Sequence, residues 1–210
     1  MSEERPLPEA DSGISRRRFL KGVGTGVAAT SLLTTIEPSS AVAASHSTHL
    51  GPGAVPITLD VNGKRYPTEV EPRHVLLDVL RKNLDITGPK PICERGACGG
   101  CTVLVDGDPV YSCMMLAVDA VGKKIKTVEG LADGDKLDPV QAAFIQHDAL
   151  MCGFCTPGFL MSVRALIDRN PTPTLDDVKS AVAGNTCRCG TYPRIFEAAL
   201  TAARVTRGEA

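Results

Sequence analysis

The sequence has no tryptophan, and aromatic residues make up only 4% of its 210 positions, so any core must be aliphatic. It has no excess of one charge: 23 Lys and Arg stand against 24 Asp and Glu, a formal net charge of -1. Nucleic-acid binders usually carry a basic excess, so that class is disfavoured. The chain also lacks an unbroken apolar run of the roughly 18 or more residues that a membrane-spanning helix needs, which excludes a stable span. With 43% hydrophobic and 22% charged residues it is not globally disordered. Its length allows one or two domains with a real core. What the chain has in quantity is cysteine: eight, at spacings that are not random.

The first forty residues look like an address. Residues 1–14 are polar and contain Pro and Gly, without periodicity. Ser15-Arg16-Arg17-Arg18-Phe19-Leu20-Lys21 then matches every position of the twin-arginine export pattern S/T-R-R-x-F-L-K. A weakly apolar run, Gly22–Ile36, resembles the mild h-region of such signals, and Ala41-Val42-Ala43 supplies a small-residue cleavage site before Ala44 or one residue later. Gly22-Val23-Gly24-Thr25-Gly26 has a loose likeness to a dinucleotide-binding loop. That loop must follow a strand, however, and here it follows three arginines. A disordered basic tail would not explain the ordered n-region, h-region and cleavage site. The resemblance implies a signal peptide over 1–43, a twin-arginine translocase as partner, a periplasmic location, and export of an already folded chain. A linker over 44–55 follows.

The cysteines divide four and four. Cys93, Cys98, Cys101 and Cys113 are spaced C-x4-C-x2-C-x11-C; Cys152, Cys155, Cys187 and Cys189 are spaced C-x2-C-x31-C-x-C. Ahead of the first group, Pro56–Val61 alternates apolar and polar residues. Asn62-Gly63 is a strong two-residue turn, and Lys64–Val70 returns as the second strand. Val75–Leu84 reads as a helix, with His74 near its start as a capping or surface residue. The ligand loop runs over Gly88–Gly100. Strand Thr102–Asp106, a turn at Asp106-Gly107, return strand Pro109–Cys113 carrying the fourth cysteine, and strand Ile125–Val128 complete this half. Gly96, Gly99 and Gly100 fit a loop that must bend tightly and aim backbone N–H groups at anionic sulfur.

The second group lies in helical sequence. Asp138–Asp148 reads as a helix, and Cys152-Gly153-Phe154-Cys155 as a turn. Thr156 is expected to cap a helix whose first residue is Pro157 and which runs to 169. Thr174 caps Leu175–Ala183. Asn185–Arg194 forms the second ligand loop, and Ile195–Ala203 the last helix.

The spacing C-x4-C-x2-C…C is the signature of a plant-type [2Fe-2S] cluster. Cys93-Glu94-Arg95-Gly96-Ala97-Cys98-Gly99-Gly100-Cys101-Thr102-Val103 resembles that family's core throughout. Cys152-Gly-Phe-Cys-Thr-Pro-Gly158 and Gly184-Asn-Thr-Cys-Arg-Cys189 resemble the iron–sulfur subunit of the xanthine dehydrogenase/aldehyde oxidoreductase family, the molybdenum hydroxylases. This likeness covers about residues 56–203.

It implies an α+β chain. A β-grasp, plant-type ferredoxin domain (56–130) would be followed by an all-α four-helix [2Fe-2S] domain (131–210), each holding one cluster. It implies molybdopterin on a separate large subunit. The next acceptor would be FAD on a third subunit or a cytochrome c. It also implies that Cys189 and the residue before the CGFC turn lie against the partner's pterin. That residue is commonly Gln in the family and is Met151 here, so the Gln hydrogen bond is missing or replaced. The family's usual CRCTGY is Cys187-Arg188-Cys189-Gly190-Thr191-Tyr192, a variant similar to the isoquinoline-oxidoreductase branch and some periplasmic aldehyde oxidoreductases.

Other readings of the cysteines are weaker. Four disulfides would suit an exported chain, but Cys187 and Cys189 are separated by one residue and a mature chain of this length needs no staples. Zinc accepts the same thiolate sets but carries no electrons. A thioredoxin-like reading of Cys152 and Cys155 lacks its βαβ context. His147 is expected in core or surface rather than as a ligand. Lys123-Lys124 should be a solvated turn, and Met114, Met115 and Met161 gap-filling or interface residues. Arg188 either offsets thiolate charge or pairs with a carboxylate.

No substrate pocket, P-loop or general-base constellation is recognisable, so the chain reads as an electron-transfer subunit of an oxidoreductase, with substrate chemistry elsewhere. The alternative is a free-standing exported electron carrier.

Overall fold

The computed structural model describes residues 50–209 and, within the leader, Arg17 alone. The rest of the proposed signal peptide and the linker up to 49 lie outside the described residues. Among the described residues, no helix is long and apolar enough to cross a membrane.

The first half is a mixed sheet of five strands in the order β2-β1-β5-β3-β4. Strands β1 (Val55–Val61) and β2 (Lys64–Val70) form the expected antiparallel hairpin, in register Val61↔Lys64 and Leu59↔Tyr66. Its turn works because Asn62 (φ 54) and Gly63 (φ 76) both take the left-handed conformation that a two-residue turn requires. Alternation puts Leu59 and Val61 fully inside, which fixes that register. Strand β5 (Lys124–Lys126) pairs parallel with β1 and antiparallel with β3 (Thr102–Val105), and β4 (Asp108–Tyr111) closes the far edge.

Three expectations shift here. The return strand ends at Tyr111, so Cys113 follows the strand rather than sitting on it. Lys124 opens β5 instead of a turn: its N–H donates to Asp106 Oδ1 at 2.8 Å, and its carbonyl accepts the Asp106 N–H. The strand expected over Ile125–Val128 is β5, which starts one residue earlier and ends at Lys126, and Val128 opens a 3-10 segment to Gly130.

The helix read over Val75–Leu84 is also different. Helix α1 has one α-turn (Leu76–Asp78) followed by a π-turn (Val79–Asn83). The wider turn lets Leu84 N–H reach Val79 O and Ile86 N–H reach Leu80 O, at 3.2 and 2.8 Å. It buries Leu76, Val79 and Leu80 in the core of the sheet half, packs Leu77 against Cys101 and Cys113, and delivers the chain to the first cysteine loop. His74, half-buried, precedes the helix, and its carbonyl accepts Ala117 N–H.

The second half is helical. Helix α2 (Pro139–Gln146) opens on a capping box: Asp138 accepts from Val140 N–H at 2.8 Å, and Gln141 Oε1 accepts the Asp138 N–H at 3.1 Å. Helix α3 spans Thr156–Arg169, so Thr156 is its first residue and not its cap. Helix α4 (Leu175–Ala181) is capped by Thr174, as its sequence suggests, and ends two residues early. Helix α5 (Tyr192–Thr206) is longer than expected at both ends, because Pro193 suits a first turn. Their apolar faces make one core, with Phe144, Phe159 and Ile195 at most 1% exposed.

The two halves share strand β3. Val103 and Val105 face the sheet's own core with α1, whereas Leu104 packs on Met161 and Ala165 of α3. Covered on both faces, β3 reads as an unbroken apolar run and is buried throughout. This packing sets one cysteine loop beside the other.

Candidate metal centres

Each set of four cysteines is collected in space, and each set is arranged two by two. In the first set, Cys93 and Cys98 lie close enough to shift each other's ionisation, as do Cys101 and Cys113, and all four thiols act electrostatically on Tyr111. In the second set, Cys152 and Cys189 bring their sulfurs to 3.6 Å, and Cys155 pairs with Cys187. Among the described residues, no three His, Cys, Asp or Glu side chains are grouped as one metal ion would need. Two thiolates per iron, on two irons, is the division that a [2Fe-2S] cluster uses. The residues present fit that group better than a mononuclear tetrahedral site.

The loops supply donors to sulfur. Gly96 N–H donates to Cys113 Sγ at 3.4 Å, and Ala97 N–H to Cys93 Sγ at 3.3 Å. Gly96 has φ +69, and a Cβ there would press on Met114. Gly100 N–H serves Cys98, and a side chain on Gly100 would meet Ile92. Gly99 instead makes room for the other loop, since at φ +68 a Cβ would come within 2.5 Å of Asn185 Nδ2. In the second set, Thr191 Oγ1 lies 3.2 Å from Cys187 Sγ. Thr156 Oγ1, beside Cys155, is buried with no partner among the described residues, a polar atom that a bound group at Cys155 would satisfy.

The thiols divide electrostatically as well. A hydrogen bond from the Arg95 backbone, foremost, lowers Cys93 to about 7. Burial raises its partner Cys98, pushes Cys101 up to about 11 and pushes Cys155 up to about 12. Burial also acts upward on Cys187, but hydrogen bonds from Thr191, Cys155 and the Cys189 backbone together outweigh it and leave Cys187 at about 7. In the Cys93–Cys98 and Cys155–Cys187 pairs one thiol is therefore lowered and the other raised, and both would have to lose their protons to bind a metal.

The sets differ in exposure. Cys101 and Cys113 are buried, and Cys93 and Cys98 half-buried. Cys152 and Cys189 are exposed, in a surface that includes Leu150, Met151 (66% exposed) and Phe154 (49%). Arg188 is exposed and makes no ion pair among the described residues, so the carboxylate-pairing alternative finds no partner there. His147 caps α2 and bonds Thr201 Oγ1 at 2.9 Å, away from ligand duty. Met161 is buried between α3 and β3, Met115 packs against the core of the sheet half, and Met114 is 64% exposed.

Sequence reasoning missed the residues that join the two loops. Thr186 N–H donates to Cys98 O at 2.9 Å, and Tyr111 OH donates to Gly184 O at 2.9 Å. Asn185 Nδ2 donates to Gly99 O at 3.1 Å. These contacts span 73 to 88 positions of chain, and no local pattern signals them.

Comparison with known proteins agrees with this geometry. Residues 127–200 match the [2Fe-2S] binding domain family. The chain is 50% identical over 148 residues to the nicotine 6-hydroxylase small subunit of Paenarthrobacter nicotinovorans, covering 70% of this chain and 89% of that one. It is 40% identical over 209 residues to the aldehyde oxidoreductase iron-sulfur-binding subunit of Escherichia coli K12, covering 92% and 90%. Among solved structures, quinoline 2-oxidoreductase from Pseudomonas putida 86 superposes with a TM-score of 0.70 at 45% identity, over 75% of this chain and 99% of the matched one.

Proposed function

Because the chain belongs to the iron–sulfur small subunits of the molybdenum hydroxylases, the aldehyde oxidoreductase family, we propose that it relays electrons through two four-cysteine sites. The electrons would come from a molybdopterin-bearing large subunit that oxidises an aldehyde or N-heterocycle. The observation that carries this reading is the gathering of eight thiols into two sets, each of two pairs. A [2Fe-2S] cluster held by four thiolates supplies one-electron transfer.

The residues suit such a relay in order. Cys152 and Cys189 are exposed among Leu150, Met151 and Phe154, an apolar surface of the kind that seats a partner. Cys189 and Met151 would then lie against the pterin. Met151 offers no strong hydrogen bond there, so orientation falls to other groups. The site of Cys93, Cys98, Cys101 and Cys113, in a β-grasp ferredoxin-like domain, lies next along the chain's hydrogen bonds, through Thr186 N–H and Cys98 O. Beyond it would come FAD on a third subunit or a cytochrome c.

The leader supports a periplasmic location through the twin-arginine route. Its match at Ser15–Lys21 is complete. The Escherichia coli alignment, which covers 92% of this chain, extends further than residues 44–210 alone can supply.

Purification from the native cell tests the function. A large partner bringing molybdenum in equal proportion is the expected result. A chain that elutes alone at full iron content would point to a free-standing carrier and overturn the subunit reading.

A further inference from the structure

We propose that Asn185 is the positioning residue that holds the two cysteine sites at one fixed separation and orientation. This rests on the reading of both sites as [2Fe-2S] relays.

Asn185 links segments that carry ligands of both sites. It belongs to the loop that leads to Cys187 and Cys189. Its Nδ2 donates at 3.1 Å to the carbonyl of Gly99, which lies between Cys98 and Cys101. Its Oδ1 accepts at 2.8 Å from the hydroxyl of Ser162, on the helix that begins directly after Cys155. The orientation of the amide is fixed by chemistry. A carbonyl oxygen only accepts, so the NH2 group must face Gly99, and the oxygen is left for the hydroxyl.

Both Asn185 and Ser162 are buried, at 4% and 5% exposed. An amide taken out of water costs free energy unless each end is bonded, and here both ends are. The surrounding backbone is cut to fit. Gly99 has no room for a Cβ beside Asn185 Nδ2 and Gly184 O, at 2.5 and 2.6 Å. Gly158 has none beside the carbonyl of Gly99.

The loops meet at two other points, Thr186–Cys98 and Tyr111–Gly184. The packing of Leu104 on Met161 and Ala165 sets the two halves side by side. Within that packing Asn185 adds a further point, which ties the carbonyl between Cys98 and Cys101 to Ser162 on α3. Replacement of the amide by a carboxylate would set a lone pair against the Gly99 carbonyl and undo that point. Asn185→Asp is therefore as informative as Asn185→Ala.

The test is low-temperature EPR of the anaerobically purified, dithionite-reduced complex, with iron, acid-labile sulfide and the melting temperature measured on the same samples. With both sites reduced, their spins interact, and the splitting reads separation and orientation. The native complex should show the splitting. Asn185→Ala and Asn185→Asp should keep iron and sulfide and lose it. Ser162→Ala, which frees one end of the amide, should narrow it.

A lower melting temperature with an unchanged splitting would make Asn185 a merely structural residue and overturn the proposal. A native complex with both clusters and no splitting would do the same. If neither Asn185 variant accumulates, Ser162→Ala decides: a narrowed splitting supports the proposal and an unchanged one overturns it. A native chain with iron for one cluster or none would instead overturn the two-relay reading, and this proposal with it.

Discussion

Cys101 and Cys189 belong to different sites, and their substitutions should separate the two. Cys101 is buried with Cys113 in the sheet half, and Cys189 is exposed beside Cys152 in the helical half. Four-thiolate coordination makes each serine variant lose one cluster. Iron should fall from about four to about two per chain in either variant, with a different EPR signal lost in each. Equal loss of both signals would show that the sites are not independent. At this scale the ligands were legible, because cysteine spacing is local and its chemistry narrow. Asn185 and Ser162 were not. They are 23 positions apart and Asn185 is 86 from Gly99, so only the packing of α3 on β3 brings the three together. Thr156 misled for a related reason. Its residue type favours a cap, but the turn formed by the cysteines starts the helix one residue earlier and leaves its hydroxyl buried instead.

Among the elements, α4 tests whether local capping carries weight. Thr174 Oγ1 accepts the Asp177 N–H at 3.2 Å, and Asp177 Oδ2 accepts the Thr174 N–H at 2.8 Å. Thr174→Ala should cost about 1 kcal/mol, read as a lower denaturant midpoint. The backbone N–H of Thr174 first, and its hydroxyl second, hold the Asp177 carboxyl below its ordinary value. A lowered carboxyl pKa gives stability that is present above the unfolded value and is lost as pH falls through the folded one. The gap in melting temperature between the native chain and Asp177→Asn should therefore shrink in acid, and a constant gap would remove this role. Caps and turns were legible because their residue types act over three or four positions. The π-turn of α1 was not. Leu76, Val79, Leu80 and Leu84 satisfy a regular helical stripe equally well, and only the path to the first cysteine loop selects the wider turn.

For the whole molecule, two cores meet across one strand, a mainly aliphatic one in the sheet half and one built on Phe144 and Phe159 in the helical half, and the weight of the helical core can be measured. Phe159 is fully buried, edge-on to Tyr192 at 5.8 Å between ring centroids. Phe159→Ala should cost roughly 3–5 kcal/mol by urea titration, since neighbours on three helices close only partly over the cavity. The sheet-then-helices order was legible from periodicity. The sharing of β3 was legible only as an unbroken apolar run, which does not say what covers its second face. At the cellular scale, changing Arg16 and Arg17 together to Lys should keep both this chain and its large partner out of the periplasm, if the partner travels already bound. Normal export of the partner would show that it has a route of its own.

A two-cluster electron relay is tested most directly by metal content. Iron, acid-labile sulfide and zinc should be measured on protein purified anaerobically from the native cell, with low-temperature EPR after reduction. Two [2Fe-2S] clusters require about four iron and four sulfide per chain, with two distinct rhombic signals. Zinc without an EPR signal, or eight cysteines tied in disulfides, would contradict it and leave a structural domain with no part in electron transfer.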